Sequence, residues 1–155
     1  MRVSILAVGR LGRAPEGALA HDYAARAAAA GRALGLNPVD ITEVEGRKSG
    51  RNAEGDALLA ALERDDHLIA CDEHGTALPS RAFAAKIAAL RDGGTRRLVF
   101  AVDGADGLSA AVLAVARERL AFGVQTWPHA LARAMLAEQI YRAVTILAGS
   151  PYHRD

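Results

Sequence analysis

The sequence predicts an α/β protein, a mostly parallel sheet with helices on both faces. Two observations predict it. Short apolar or alternating runs are separated by stretches of ten or more residues that suit helices, the signature of successive strand–helix units. No internal repeat, low-complexity tract or linker breaks that order, and 155 residues suffice for one core, so a single domain over 1–155 is expected.

Each element has its own local reason. Val3, Ile5, Leu6 and Val8 make a buried strand over 2–8 that Gly9 closes. An alanine-rich helix over about 17–34 is stopped by Gly35 and Pro38. Residues 39–44 alternate and read as a half-exposed strand, followed by a polar loop over 45–52. A helix over about 53–63 precedes a strand over 67–71 and a loop over 72–80. Pro79 and Ser80 open the next helix, which Gly93 and Gly94 end. Residues 97–102 are a strongly apolar strand, and 103–107 a glycine-bearing turn. Ser109 suits the N-cap of a helix running to about residue 121. Residues 122–127 read as a short strand or extended turn, and Pro128 opens a last helix to about residue 147.

Composition narrows the class. Hydrophobic residues are 51% and charged residues 24% of the chain, which argues against disorder. No apolar stretch reaches the roughly 20 residues of a membrane span, and the N-terminus does not resemble a secretion signal. The one cysteine, Cys71, excludes an intrachain disulfide and a cysteine-based metal cage, so a cytoplasmic protein without membrane or metal partners is expected. Net charge is +1, which does not announce a nucleic-acid binder. Arginine nevertheless supplies 17 of the 19 basic residues, and its planar fork suits phosphate and bases; GC-rich coding is the blander cause.

Ligands of such sheets bind outside the carboxyl ends of the strands, which points at 72–75, 103–107 and the turn around Trp127, Pro128 and His129. The 103–107 turn, Asp-Gly-Ala-Asp-Gly, is neither a dinucleotide fingerprint nor a phosphate loop. Its two carboxylates suit hydroxyls or a positive centre; equally, it reads as a tight turn with acids near a helix N-terminus. Cys71 and His74 read either as nucleophile and base or, more simply, as a buried thiol beside a loop histidine. His129 and Arg133 share a helix face, and Glu138 and Arg142 form an i, i+4 pair expected to be a solvated ion pair. The ending Tyr152-His153-Arg154 combines an aromatic ring, an imidazole and a guanidinium, the groups that stack on a base and hold its phosphate. Arg47, Lys48 and Arg51 make a basic loop, read as an RNA contact or as a solvated loop.

Several of these stretches together carry a resemblance. Ile5-Leu-Ala-Val-Gly9, the Gly104-x-x-Gly107-Leu-Ser turn, Pro128-His129 with Arg133, Glu138-Gln139-x-Tyr141-Arg142-Ala143 and Pro-Tyr152-His153-Arg154 are in order and spacing similar to the small ribosomal large-subunit pseudouridine methyltransferase H family of the SPOUT class. That resemblance spans essentially the whole chain and implies a C-terminal trefoil knot. It also implies a homodimer that uses S-adenosylmethionine to methylate ring nitrogen 3 of a pseudouridine in 23S rRNA on the assembled ribosome. Carried over by position, Cys71, Asp103, Gly104, Phe122, Gly123, Val124, Gln125, Thr126 and Trp127 would hold the cofactor. His129, Arg133, Glu138, Arg142, Tyr152, His153 and Arg154 would face the substrate and the chemistry.

Three positions depart from that family's pattern. Asp103 stands where a Gly is usual, Thr76 where a Lys follows the glycine, and Cys71 where a Leu is common. The altered glycine turn motivates a competing expectation, a knotted RNA-binding protein with impaired catalysis. With so neutral a chain, RNA binding would rest on a local basic patch at Arg47, Arg133, Arg142 and Arg154.

Overall fold

A computed structural model describes residues 1–46 and 50–154. Five strands form one sheet in the order β2-β1-β4-β3-β5, with every neighbouring pair parallel. They are β1 (Arg2–Val8), β2 (Val39–Val44), β3 (His67–Ala77), β4 (Arg97–Val102) and β5 (Glu118–Ala121). The helices are α1 (Pro15–Gly31), α2 (Arg51–Ala60), α3 (Ser80–Asp92), α4 (Ala110–Val115) and α5 (His129–Leu147). A 3-10 turn, Arg32–Leu34, ends the first helical stretch.

The strand period of two divides the core into two layers. Val3, Ile5 and Ala7 of β1, with Leu98, Phe100 and Val102 of β4, face α1, α3 and α5. Leu6, Val8, Val99 and Ala101 face Leu58 of α2 and Val112 of α4. Helices therefore cover both faces, as the continuous apolar runs of β1 and β4 predict for a parallel sheet. Alanines 20, 24 and 27 of α1 are buried against that larger layer, small enough to let α1 and α5 approach closely. Ser109 caps α4 as expected, its Oγ accepting from Val112 N at 3.4 Å. Among the described residues no helix is long and apolar enough to cross a membrane.

Four expected elements are different in the fold. The helix expected to reach residue 121 ends at Val115, and residues 118–121 are β5 instead. Glu118, Arg119, Leu120 and Ala121 favour helices individually, but pairing with Ile69, Ala70 and Cys71 outweighs that weak preference. Consequently 122–127 is a bent loop, neither strand nor helix. The strand expected to end at Cys71 continues to Ala77, interrupted where Cys71 and Thr76 both oppose Leu120. The helix expected from residue 53 begins at Arg51.

Candidate active site

The carboxyl ends of β3, β4 and β5 open onto a cavity of about 740 Å³. All three stretches singled out by strand-end logic contribute walls: residues 71–74, residues 102–108, and Trp127, Pro128 and His129. Arg51 at the start of α2 and Arg119 of β5 complete the rim.

Most charges around this cavity are paired within it. Arg119 Nη1 lies 3.3 Å from Asp72 Oδ2, and His74 donates its backbone N–H to Asp72 Oδ1 at 3.1 Å. Burial alone would raise the Asp72 pKa, but those bonds and the Arg119 charge hold the carboxyl below its ordinary value. Thr126 Oγ1 donates to Glu73 Oε2 at 2.8 Å, tying the 122–127 loop to the end of β3. Arg51 Nε donates to the Asp106 carbonyl at 2.5 Å, tying α2 to the 103–107 turn.

Asp103 is one exception. It is half-buried in the wall, and among the described residues its carboxylate makes no ion pair. Burial raises its pKa, opposed by nearby His129 and reinforced by the negative charges of Asp72 and Glu54. A side chain on the neighbouring Gly104 would have to displace its neighbours: a Cβ there would stand 2.8 Å from Glu54 Oε2 and 3.0 Å from Val8 Cγ1. That Glu54 oxygen is buried without a hydrogen-bond partner. Gly107 closes the turn at a positive φ of +80°.

Cys71 is buried, 7% exposed, in the larger core layer. Burial pushes its thiol pKa well above the ordinary range, and the Asp103 charge adds to that. His74 turns its ring towards Asp72, 3.3 Å away, with 79% of the side chain exposed. A protonated buried thiol without a histidine base is not a nucleophile, so the simpler reading of Cys71 holds.

A second cluster surrounds the C-terminal residues. Arg142 Nη2 donates to Glu138 Oε1 at 2.5 Å, and Tyr152 Oη donates to the same oxygen at 3.0 Å. Arg142 lies over the Tyr152 ring at 5.0 Å and meets His153 Nδ1 at 3.4 Å. Tyr152 also packs edge-on against Tyr141, with ring centroids 4.7 Å apart. Burial, with Tyr23 and Glu138 alongside, pushes the Tyr152 hydroxyl upward, so it remains a phenol. The Glu138–Arg142 pair expected to be solvated is therefore a partly buried anchor for the tail.

Placed in this way, Cys71, Asp103, Gly104, Phe122, Gln125, Thr126, Trp127 and His129 gather at the cavity. Gly123 lies instead on a second, more apolar cavity with Tyr23, Phe83 and Glu138, and Val124 is 98% exposed. Arg133 reaches neither cavity nor surface. Only 1% exposed, it donates to Glu43 Oε1 at 2.6 Å and to the Val8 and Gly9 carbonyls at 2.9 and 3.0 Å. This corrects the expected basic patch: Arg133 clamps the ends of β1 and β2, because three acceptors there need a fork-shaped donor. Arg47 lies outside the described residues. Arg142, thirteen positions beyond His129 on α5, stands about 20 Å further along that helix. The tail cluster and the cavity are thus separate places within one chain.

Glu73, Arg119 and the half-buried Glu54 were not among the expected site residues, and Arg51 was expected only as part of a basic loop. The strand-end rule reached Glu73, but Arg119 was hidden in a stretch expected to be helical. Glu54 has no sequence signal, since its Oε2 is buried only where the fold brings α2 against Gly104 of the turn.

Comparison with known proteins agrees with this architecture. A family model described as predicted SPOUT methyltransferase matches residues 1–153. A protein of Phenylobacterium zucineum named ribosomal RNA large subunit methyltransferase H is 66% identical over 155 residues, covering all of both chains. One of the same name from Caulobacter vibrioides is 64% identical, over all of this chain and 99% of the other. The fold also resembles a solved probable methylase family protein from Haemophilus influenzae, with TM-score 0.50 and 12% identity over 99% of this chain and 70% of that one.

Proposed function

Since this chain belongs to the SPOUT methyltransferase family, we propose that it uses S-adenosylmethionine to methylate ring nitrogen 3 of a pseudouridine in 23S rRNA. The reading extends to a cytoplasmic homodimer acting on the assembled ribosome, with 1–155 as one SPOUT-type domain and a trefoil knot in its C-terminal half. The observation that carries it is the cavity at the ends of β3, β4 and β5, lined by seven of the nine residues that the resemblance assigns to the cofactor. Relatives named for rRNA methylation over the full chain length support the substrate class.

The cavity fits such a cofactor. S-adenosylmethionine is rich in donors and carries a positive sulfur, and this wall offers an unpaired carboxylate at Asp103. Gly107 keeps the turn free of a side chain, while Phe122, Leu113 and Trp127 supply apolar area. When bound, the cofactor supplies an electrophilic methyl group.

The chain's residues then have distinct tasks. The cavity positions, and orientation alone contributes several kcal/mol. Removing a proton from the pseudouridine imide leaves negative charge on the ring, which Arg142, His153 and Arg154 are suited to stabilise. Glu138 holds Arg142 and the Tyr152 hydroxyl so that the tail keeps one shape. Arg133 fixes the first turns of α5 and with them His129. Because the tail packs on Glu138 and Arg142, about 13–20 Å down α5 from His129, a second copy is the natural donor of the tail to this cavity. Leu19 and Leu131, both exposed beside the second cavity, support such pairing.

Incubation with radiolabelled S-adenosylmethionine and ribosomes from cells lacking the modification tests the reading. Label in 23S rRNA at a pseudouridine is expected. No label despite cofactor binding would favour the RNA-binding protein with impaired catalysis.

A further inference from the structure

We infer that Asp103 makes this cavity select its ligand by the charge on sulfur, holding S-adenosylmethionine more tightly than S-adenosylhomocysteine. The inference rests on the cofactor reading above and deepens it.

Asp103 stands at the end of β4, where the buried Val102 gives way to the turn. Its carboxylate folds back over that turn: Oδ2 would lie 3.9 Å from a Cβ placed on Gly107. Of the neighbouring carboxylates, Asp72 is engaged by Arg119 and His74, and Glu73 by Thr126. Arg51, the nearest guanidinium on α2, spends its Nε on the Asp106 carbonyl. What remains around Asp103 is His129 and its own backbone N–H on one side, against Asp72 and the half-buried Glu54 on the other. A half-desolvated carboxylate without a fixed cation, facing an open cavity, is unfavourable in the empty protein. It becomes favourable when a ligand brings positive charge into the same low-dielectric space.

S-adenosylmethionine carries that charge at sulfur, and S-adenosylhomocysteine, its demethylated form, does not. Both carry the same ammonium, ribose and adenine, so their comparison isolates the sulfonium. A cavity organised in this way holds spent cofactor less tightly than fresh cofactor, which favours exchange.

Calorimetry with both ligands on the wild type, Asp103→Asn, Asp103→Gly and Asp103→Glu provides the test, with circular dichroism to verify folding. The wild type is expected to prefer S-adenosylmethionine. Asparagine and glycine are each expected to reduce that preference about tenfold, mainly through weaker S-adenosylmethionine binding. Glutamate, which keeps the charge, is expected to retain most of it. Equal weakening of both ligands would mean that Asp103 serves the shared ammonium or ribose, and would overturn the inference. So would an unchanged preference in folded Asp103→Asn. If the wild type bound neither ligand, the cofactor reading of the cavity would itself fall, an outcome distinct from the other two.

Discussion

Arg133 and Glu43, ninety positions apart in the chain, meet at 2.6 Å between Nη1 and Oε1. The same guanidinium donates to the Val8 and Gly9 carbonyls. Glu43 Oε1 in turn accepts from the Leu11 backbone N–H at 3.0 Å. One ion pair thus ties α5 to the ends of β1 and β2 and to the loop that follows β1.

Arg133→Ala is expected to lower stability by about 3–5 kcal/mol, because it removes the cation paired with Glu43 and a donor to two carbonyls. Arg133→Lys is expected to recover only part of that, since a single ammonium cannot reproduce the fork. Urea unfolding at constant m-value measures both. A loss below about 1 kcal/mol for the alanine variant would show that the clamp is dispensable.

Gly75 has β5 against it on the side where a side chain would project. A Cβ there would lie 2.6–2.8 Å from backbone atoms of Arg119 and Leu120, and backbone cannot move aside as a flexible side chain can. Gly75→Ala is expected to lower the melting temperature by several degrees, about 1–3 kcal/mol or more. It should also weaken cofactor binding, because Asp72, Glu73 and His74 line the cavity from the same segment. Thermal unfolding and calorimetry check the two effects separately.

Asp103 gives a stability prediction with a definite sign. Burial raises its folded pKa above the unfolded value, so the folded state binds this proton more tightly. That contribution is fully present below the unfolded value of 3.8 and is lost as pH rises through the raised folded pKa. At neutral pH the ionised carboxylate therefore destabilises the empty protein, among Cys71 and Asp72 of β3, Glu54 and Arg51 of α2 and His129 of α5. Asp103→Asn is expected to be more stable than the wild type at pH 7, with the difference vanishing in acid. Unfolding midpoints between pH 3 and 7 decide it, and a neutral-pH loss in the variant would contradict this sign.

The tail can be separated from the cavity. Trimming residues 152–155 removes Tyr152 from Glu138 and Arg142 but touches no cavity wall. Cofactor binding by calorimetry is expected to be nearly unchanged and methylation of ribosomes abolished. Full methylation by the trimmed chain would remove the tail from the chemistry.

The strands over 2–8, 39–44 and 97–102 were legible to the residue because each is a short apolar or alternating run with breakers beside it. The Ser109 cap and the glycine turn were legible for the same reason: a hydroxyl before a helix and a glycine at positive φ act locally. The strand-end rule reached the cavity from element order alone. Residues 118–121 were misread because their partner is β3, and pairing of that kind is absent from any local window.

What the amino-acid order determined by itself is thus the α/β class, most element boundaries and, through full-length similarity, the family. Only the tertiary structure decided where the charges act. His129 and Arg133 share a helix face in sequence, yet one lines the cavity while the other is buried against the end of β1. Glu138 and Arg142 look like a surface pair, yet Tyr152 makes them a partly buried anchor. The physical reason is common to both. Helical periodicity depends on neighbours three or four residues away, whereas the burial and partners of a charge depend on segments brought together from the far ends of the chain.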